Sequence, residues 1–409
     1  MRLRYFVLVV LLFLITGCQV EMLPLPTRAV AAVVPFVTDG VPPTFTPQPA
    51  TAVPTASPTV IRDTLTPSPT PLPIPTNTPV TPTSTPTETL TPAPFEYVTS
   101  TPDIKPVDEY AAYEVIPFEA FPTPPGNNRW GMHWIPNTSQ DKGVVDRFVG
   151  ELVRMHIKWC VFLNDGTDIG GNDYLVERLV ANGIMPVMRL YRSEVAAYDG
   201  DLYAMVKHYR AKGVYYYQLY NEPNVNVENN QGFANPNQYA QAWAIGARAI
   251  ISAGGLPGIG GFSPGGEYNH YDFLDRTLRA LEYSGDDHLL NHAWLSVHNY
   301  HGLRAYDDPD GFLLFRKYDE IVRSHLGRSL PMIGTEGGSY SPDPNVEKQF
   351  IIFEYSYMRE AEPYLLAYSH WILANQEGGH HDDRWEFQAL FRAGFIHPVV
   401  TDFFYRNSK

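Results

Sequence analysis

The chain has 409 residues and a formal net charge of −14, from 30 Lys and Arg against 44 Asp and Glu. This acidic balance argues against a nucleic-acid partner, because phosphate contacts need a basic surface. Two cysteines cannot build a disulfide framework, and no Cys/His spacing of the metal-binding type occurs. Of the 37 prolines, 25 fall in residues 21–125 and 12 in residues 126–409, so the chain has two physically different parts.

Residues 1–18 have the pattern of a secretory signal peptide. Two arginines precede an apolar run at 6–15, which is shorter than the ~20 residues that cross a bilayer. The run ends in ITGC at 15–18, which resembles the bacterial lipobox and implies that Cys18 is lipidated. We therefore expect a protein tethered by lipid at the bacterial cell surface, with an ordinary secreted protein or a short uncleaved anchor as alternatives. Cys160 is then a lone thiol and is expected to be a buried small apolar residue.

Residues 19–125 are rich in Thr and Pro and poor in aromatic residues. Such a segment buries too little apolar surface to offset its ordering entropy, which predicts a disordered, extended stalk. At ~3.1 Å per residue its reach is on the order of 200 to 300 Å. Its last part, 97–121, has more aromatic residues, and we expect it to pack loosely on the domain that follows.

Residues 126–409 show short β-rich runs alternating with amphipathic helical patterns, which is typical of βαβ units. Eight strands are predicted at 130–135, 158–163, 185–190, 214–220, 258–263, 294–300, 331–335 and 365–372. Seven helices are predicted between them, at 143–156, 173–181, 202–211, 237–253, 271–283, 312–325 and 346–361. The number of strands and the length favour an α/β fold of the (β/α)8 (TIM) barrel type. A doubly wound open sheet is the alternative, but neither glycine-rich phosphate-binding motif is present.

Two glutamates follow predicted strands at positions where a charge has no packing reason to be. Glu222 is the second residue after strand four, and Glu336 is the first residue after strand seven. The carboxyl ends of all strands meet at one mouth of such a barrel, and active sites lie there. Paired carboxylates across one pocket are what glycosidic bond cleavage requires.

These residues resemble those of the retaining glycoside hydrolases of clan A. In that group Asn-Glu, commonly Asn-Glu-Pro, closes strand four and a second glutamate closes strand seven, as NEP at 221–223 and Glu336 do here. HNY at 298–300 is similar to the clan's His-x-Tyr element, and Trp371 to its sugar platform. The resemblance covers residues 127–409. It departs at the end of strand two, where many family 5 members have an arginine and this chain has Asn164, so that both a family 5-like and a family 39-like assignment stay open.

The resemblance implies a retaining glycosidase that acts on a β-linked oligo- or polysaccharide, without a cofactor and as a monomer. Glu336 is then the nucleophile and Glu222 the acid/base. The expected substrate-binding residues are Asn221 at the sugar 2-hydroxyl, His298, Tyr300 holding Glu336, Trp371, Arg189 in place of the strand-two arginine, and His133 and Trp134 on strand one. A catalytically inactive carbohydrate-binding barrel and a transglycosylase are the alternatives. HHDD at 380–383 gives no metal prediction, because adjacent ligands usually point apart.

Overall fold

The computed structural model describes residues 104–229 and 231–407. The predicted signal peptide, Cys18 and the stalk up to residue 103 lie outside the described residues. None of the helices that the structure describes combines the length and the apolar character needed to cross a bilayer.

Eight parallel strands close into a barrel in which every strand pairs with its neighbours in chain order and β8 pairs with β1. The strands are β1 Trp130–His133, β2 Trp159–Asp165, β3 Met185–Tyr191, β4 Tyr216–Leu219, β5 Leu256–Gly260, β6 Trp294–His298, β7 Met332–Glu336 and β8 Leu365–His370. The strand residues are buried almost throughout, as expected for a parallel sheet that is covered on both faces. The predicted (β/α)8 barrel is confirmed.

The helices are α1 Lys142–Arg154, α2 Asp173–Ala181, α3 Leu202–Ala211, α4 Pro236–Ser252, α5 His270–Ser284, α6 Phe315–Leu326, α7 Pro344–Tyr357, and the short α8 Asp383–Glu386 and α9 Pro398–Asp402. The longer helices, α1 to α7, pack around the barrel through their buried residues, whereas the short α8 has no buried residue. In α1 the buried residues are Val145, Phe148, Val149 and Leu152. Their spacing of three and four residues forms the stripe that a helix buries against a sheet. Asp141 begins this helix by accepting a hydrogen bond from the Gly143 N–H at 2.7 Å.

The fifth strand differs from its prediction at 258–263. It begins at Leu256 and ends at Gly260, because Gly260 and Gly261 have φ angles of 107° and 69°, outside the extended region. A Cβ atom at Gly260 would lie 2.5 Å from the carbonyl oxygen of Ser296 on β6. The chain can leave the barrel at this point only with glycine.

The structure also contains elements after β8 that were not predicted. A two-stranded hairpin, β9 Phe391–Arg392 and β10 Phe395–Ile396, lies between α8 and α9. After α9, Phe403 and Phe404 pack on Trp130 at ring-centroid distances of 5.4 and 5.8 Å. The end of the chain thus covers the outside of β1.

Residues 104–125, which the sequence assigned to the stalk, pack against the barrel. Ile116 and Phe121 are each 3% exposed and belong to an apolar cluster with Trp159, Met185 and other residues at the amino ends of the strands. The Tyr216 hydroxyl donates a hydrogen bond to the Pro122 carbonyl at 2.7 Å. The packed part of the chain therefore begins before residue 126. Ile116 and Phe121, which close the lower end of the barrel, lie in the part at 97–121 that was expected to pack only loosely on the domain.

Candidate active site at the carboxyl ends of the strands

Glu222 and Glu336 face each other at the upper mouth of the barrel. Glu336 is the last residue of β7 and is 6% exposed, whereas Glu222 follows β4 by three residues and is half-buried. One carboxylate oxygen of each, together with a ring nitrogen of His298, lie within 4.8 Å of one another. This upper bound on the closest approach of the two carboxylates lies near the ~5 to 5.5 Å of retaining glycosidases and below the ~6.5 to 9.5 Å of inverting ones.

A sharp turn after β4 positions Glu222. Tyr220 and Glu222 have φ angles of 64° and 36°, a region that non-glycine residues rarely occupy and that concentrates at functional sites. The Glu222 N–H donates to the Gly261 carbonyl at 2.9 Å, which ties this turn to the end of β5. The glycines after β5 and the strained turn after β4 thus act together to hold the carboxylate at the mouth.

Glu336 is held by three groups. Arg189 on β3 donates to Oε1, the Tyr300 hydroxyl donates to Oε2 at 2.7 Å, and His298 Nδ1 lies 3.7 Å from Oε2. Burial by itself would raise the pKa of Glu336, but electrostatic interactions with His298 and Arg189 outweigh it and hold the pKa below its usual value. Glu336 is therefore ionised and oriented at neutral pH, as a nucleophile must be.

His298 connects the two glutamates. Its Nδ1 lies 3.1 Å from Oε1 of Glu222, and its side chain is fully buried. The pairing of β6 with β7 shifts by one residue between Val297 and His298, which places His298 opposite Glu336. This irregularity in the strand aims the ring at the space between the carboxylates.

Trp371 and His133 form one wall of the site. Trp371 follows β8 and is 6% exposed, and its ring centroid lies 4.3 Å from that of His133 and 5.8 Å from the Arg189 guanidinium. Burial, with a further contribution from the Arg189 charge, lowers the pKa of His133 to about 3. The His133 ring is therefore neutral beside the ion pair of Arg189 and Glu336.

The structure does not bring Trp134 to the site. Trp134 is fully buried in the outer layer, where it packs edge-on against Phe148 of α1 at 6.3 Å. Trp134 was predicted to bind substrate, and its place in the helical layer corrects this prediction. Successive side chains at the end of β1 point to opposite faces of the sheet, so that His133 points into the barrel and its neighbour into the helical layer.

Two residues near the glutamates were missed from the sequence. Tyr340, half-exposed after β7, stacks on Tyr300 at a centroid distance of 5.4 Å and an angle of 16°. Burial and the charges of Glu222 and Glu336 raise the pKa of Tyr340 above its usual value. Glu228, in the loop after β4, accepts a hydrogen bond from Asn221 at 3.4 Å. A third acid six residues after Glu222 was the available signal for Glu228.

The remaining candidates lie apart from this pair. HHDD at 380–383 is held by local contacts: His380 Nδ1 lies 2.6 Å from Asn375 Oδ1, and Asp382 pairs with Arg384 at 2.6 Å. Two surface cavities of about 650 and 690 Å³ lie at the amino ends of the strands and between α4 and α5. Neither is lined by a glutamate of the pair, so that cavity volume would not identify the site.

No family model matches the sequence, and no curated protein matches it. The structure is similar to a family 39 glycoside hydrolase from the gut symbiont Bacteroides cellulosilyticus WH2, with a TM-score of 0.50 and 13% sequence identity, over 71% of this chain. The match spans 63% of the length of that protein.

Two weaker matches are also enzymes by their descriptions. An endo-β-1,4-glucanase from Xanthomonas axonopodis pv. citri has a TM-score of 0.46 and 13% identity over 68% of this chain and 98% of that one. An endo-β-1,4-mannanase from Thermotoga petrophila has a TM-score of 0.44 and 13% identity over 69% of this chain and 78% of that one. At these identities the likeness concerns architecture alone, which is the (β/α)8 barrel fold.

Proposed function

We propose that the protein is a retaining glycosidase that hydrolyses a β-linked oligo- or polysaccharide by double displacement. The observation that carries the proposal is the facing pair of Glu222 and Glu336 with oxygens within 4.8 Å, in which Glu336 is ionised and fixed by Arg189 and Tyr300. The β-linked substrate class comes from the resemblance of the strand-four and strand-seven motifs to clan A.

In the first step, a carboxylate oxygen of Glu336 attacks the anomeric carbon while the bond from that carbon to the leaving oxygen breaks. Protonated Glu222 donates its proton to the leaving oxygen, and a covalent glycosyl-enzyme forms. In the second step, ionised Glu222 takes a proton from water, and the water oxygen attacks the same carbon and displaces Glu336. Two inversions give net retention of configuration.

The surrounding residues have distinct parts in this scheme. Tyr300 and Arg189 hold Glu336 in line with the anomeric carbon, and His298 lies between the two carboxylates. Asn221 contacts the sugar 2-hydroxyl, a hydrogen bond that strengthens in the transition state. Tyr340, half-exposed over Tyr300, is the aromatic ring most accessible to the C–H face of a sugar, and Trp371 lines the wall beside His133.

The experiment is a panel of aryl β-glycosides and soluble β-glycans tested with the wild-type protein, Glu222→Ala and Glu336→Ala. Each substitution is expected to lower kcat/KM by several orders of magnitude, on the order of 10³-fold or more. Glu320→Ala, an exposed position on α6, is the matched control. Azide is expected to rescue Glu336→Ala with an inverted glycosyl azide, which identifies the nucleophile.

Other outcomes would favour the alternative functions. Binding of glycans without cleavage favours an inactive carbohydrate-binding barrel, and products longer than the substrate favour a transglycosylase. Full activity of both glutamate variants would refute the site.

We further propose that the protein is anchored to a membrane through Cys18. The ITGC motif at 15–18 carries this proposal. Expression of Cys18→Ser in a bacterial host, followed by membrane fractionation and mass spectrometry of the N-terminus, tests it. An unmodified N-terminus in the wild-type protein would contradict it.

A further inference from the structure

A third carboxylate, Glu228, lies beside the proposed catalytic pair. It ends the 3-10 helix Asn226–Glu228 in the loop after β4, and its backbone carbonyl accepts from the Val195 N–H at 2.9 Å. The side chain is half-buried, and burial, with a contribution from the charge of Glu222, raises its pKa above the usual value. Burying a carboxylate costs free energy. The position of Glu228 beside Asn221 and Glu222 therefore suggests that this carboxylate has a role in the site.

The Asn221 side chain is held at both ends. Its Oδ1 accepts from Arg189 at 3.0 Å, and its Nδ2 donates to Oε1 of Glu228 at 3.4 Å. Arginine is only a donor and a carboxylate is an acceptor, so that one orientation of the amide satisfies both neighbours. The opposite orientation would turn N–H groups toward Arg189 and a carbonyl oxygen toward Glu228, which is unfavourable at both ends.

We propose that Glu228 is a positioning residue that fixes the orientation of the Asn221 amide for the substrate. Nδ2 has two N–H groups, and the contact with Glu228 uses one of them. The other is then directed to the sugar hydroxyl next to the anomeric carbon. This inference rests on the proposed function, in which Asn221 contacts that hydroxyl.

The neighbouring loop after β5 contains a matched control for this role. Glu267 is exposed, and its Oε2 accepts from the Asn226 N–H at 2.9 Å, so that it stabilises the same 3-10 helix through its backbone. Glu267→Ala therefore removes a loop carboxylate without changing the contact between Glu228 and Asn221. Any effect of loop order alone should appear in both alanine variants.

The experiment compares the full-length wild-type protein with Glu228→Ala, Glu228→Gln and Glu267→Ala on two aryl β-glycosides that differ only in the presence of the 2-hydroxyl. Glu228→Ala is expected to lower kcat about ten-fold on the hydroxylated substrate, the size expected for one weak hydrogen bond to a charged group. KM should change less than about two-fold, since the bond strengthens in the transition state. Rates on the 2-deoxy substrate should stay within about two-fold of wild type.

The other variants separate the orientation of the Asn221 amide from the charge of Glu228 and from the order of the loop after β4. Glu228→Gln keeps an acceptor oxygen and is expected to retain kcat within about three-fold of wild type. Glu267→Ala should leave both substrates unaffected. In an Asn221→Ala background, adding Glu228→Ala should change kcat by less than about two-fold, because the effect passes through Asn221.

Several results would overturn the inference. The first is an equal loss of kcat on the hydroxylated and the 2-deoxy substrate, and the second is a loss of kcat in Glu267→Ala that matches the loss in Glu228→Ala. The third is a Glu228→Gln variant as slow as Glu228→Ala, and the fourth is an additive loss of kcat when Glu228→Ala is made in the Asn221→Ala background. If Glu228→Ala has a lowered melting temperature, its kcat cannot be interpreted alone. The test then rests on Glu228→Gln and on the comparison of Asn221→Ala with the Asn221→Ala, Glu228→Ala double variant. Absence of any glycoside hydrolysis by the wild-type protein would instead overturn the proposed function, which keeps the two failures distinguishable.

Discussion

Glu347 on α7 provides a stability prediction that does not depend on the proposed activity. Its side chain is 1% exposed, and burial raises its pKa to about 8. His397, whose Nε2 lies 3.7 Å from Oε2 of Glu347, does not compensate the charge, because burial lowers the pKa of His397 to about 3 and the ring stays neutral. Below pH 8, the native protein therefore holds a protonated carboxyl beside a neutral imidazole.

The sign and size of the pH effect follow from linkage. A pKa that is higher in the folded state means that the stabilisation is complete below about pH 4.5, the unfolded value, and is lost as the pH rises through about 8. For this one group the loss between pH 5 and pH 8 is on the order of 3 kcal/mol. In a domain of about 300 residues that corresponds to roughly 5 °C in Tm.

Glu347→Gln removes the titration while keeping the shape of the side chain. We expect wild type and variant to have similar stability at pH 5, and the variant to be more stable by about 3 kcal/mol at pH 8. Denaturant unfolding at both pH values measures this difference. Comparison with the variant cancels the opposite contribution of buried neutral histidines such as His370, whose pKa is lowered by burial to about 4.

Glu360→Gln, at an exposed position just after α7, is the control and should follow wild type. A Glu347→Gln protein whose stability changes with pH in parallel with wild type would refute the reasoning. It would mean that Glu347 is ionised in the native state at neutral pH.

Three further predictions concern the site and the barrel. Arg189→Met removes a positive charge that lowers the pKa of Glu336, so the acid limb of the kcat/KM profile should move up by at least about one pH unit. An unmoved limb would contradict the assignment of that limb to Glu336. Tyr300→Phe removes the 2.7 Å hydrogen bond to Glu336 and should lower kcat/KM about 10- to 100-fold in steady-state assays, whereas an unchanged rate would exclude this role. Gly258→Ala places a Cβ atom 2.5 Å from Cζ2 of Trp294 inside the barrel and should cost about 1 to 3 kcal/mol in thermal unfolding, and wild-type stability would contradict the observed packing.

The fold was predictable because its signals are local. Alternating apolar and amphipathic runs define βαβ units, and the handedness of their connections leaves few ways to arrange eight of them. The bounds were less predictable: β5 ends at Gly260 because the backbone leaves the extended region there, and the Ser296 carbonyl on the next strand leaves room only for glycine. The packing of Ile116 and Phe121 under the barrel likewise depends on partners far along the chain.

The candidate site, like the fold, could be predicted only in part. Glu222 and Glu336 could be selected from the sequence, because each follows a strand and the carboxyl ends of parallel strands must meet at one mouth. The sequence by itself therefore determined the barrel and selected the two acids of the proposed catalytic pair.

Only the tertiary structure decided which side chains surround the acids. It turned Trp134 into the helical layer, set Arg189 against Glu336, and brought Glu228 to Asn221 and Tyr340 over Tyr300. The physical reason is that these contacts depend on strand register, loop course and side-chain direction. Those are fixed by packing between segments distant in the chain and not by any pattern within one segment.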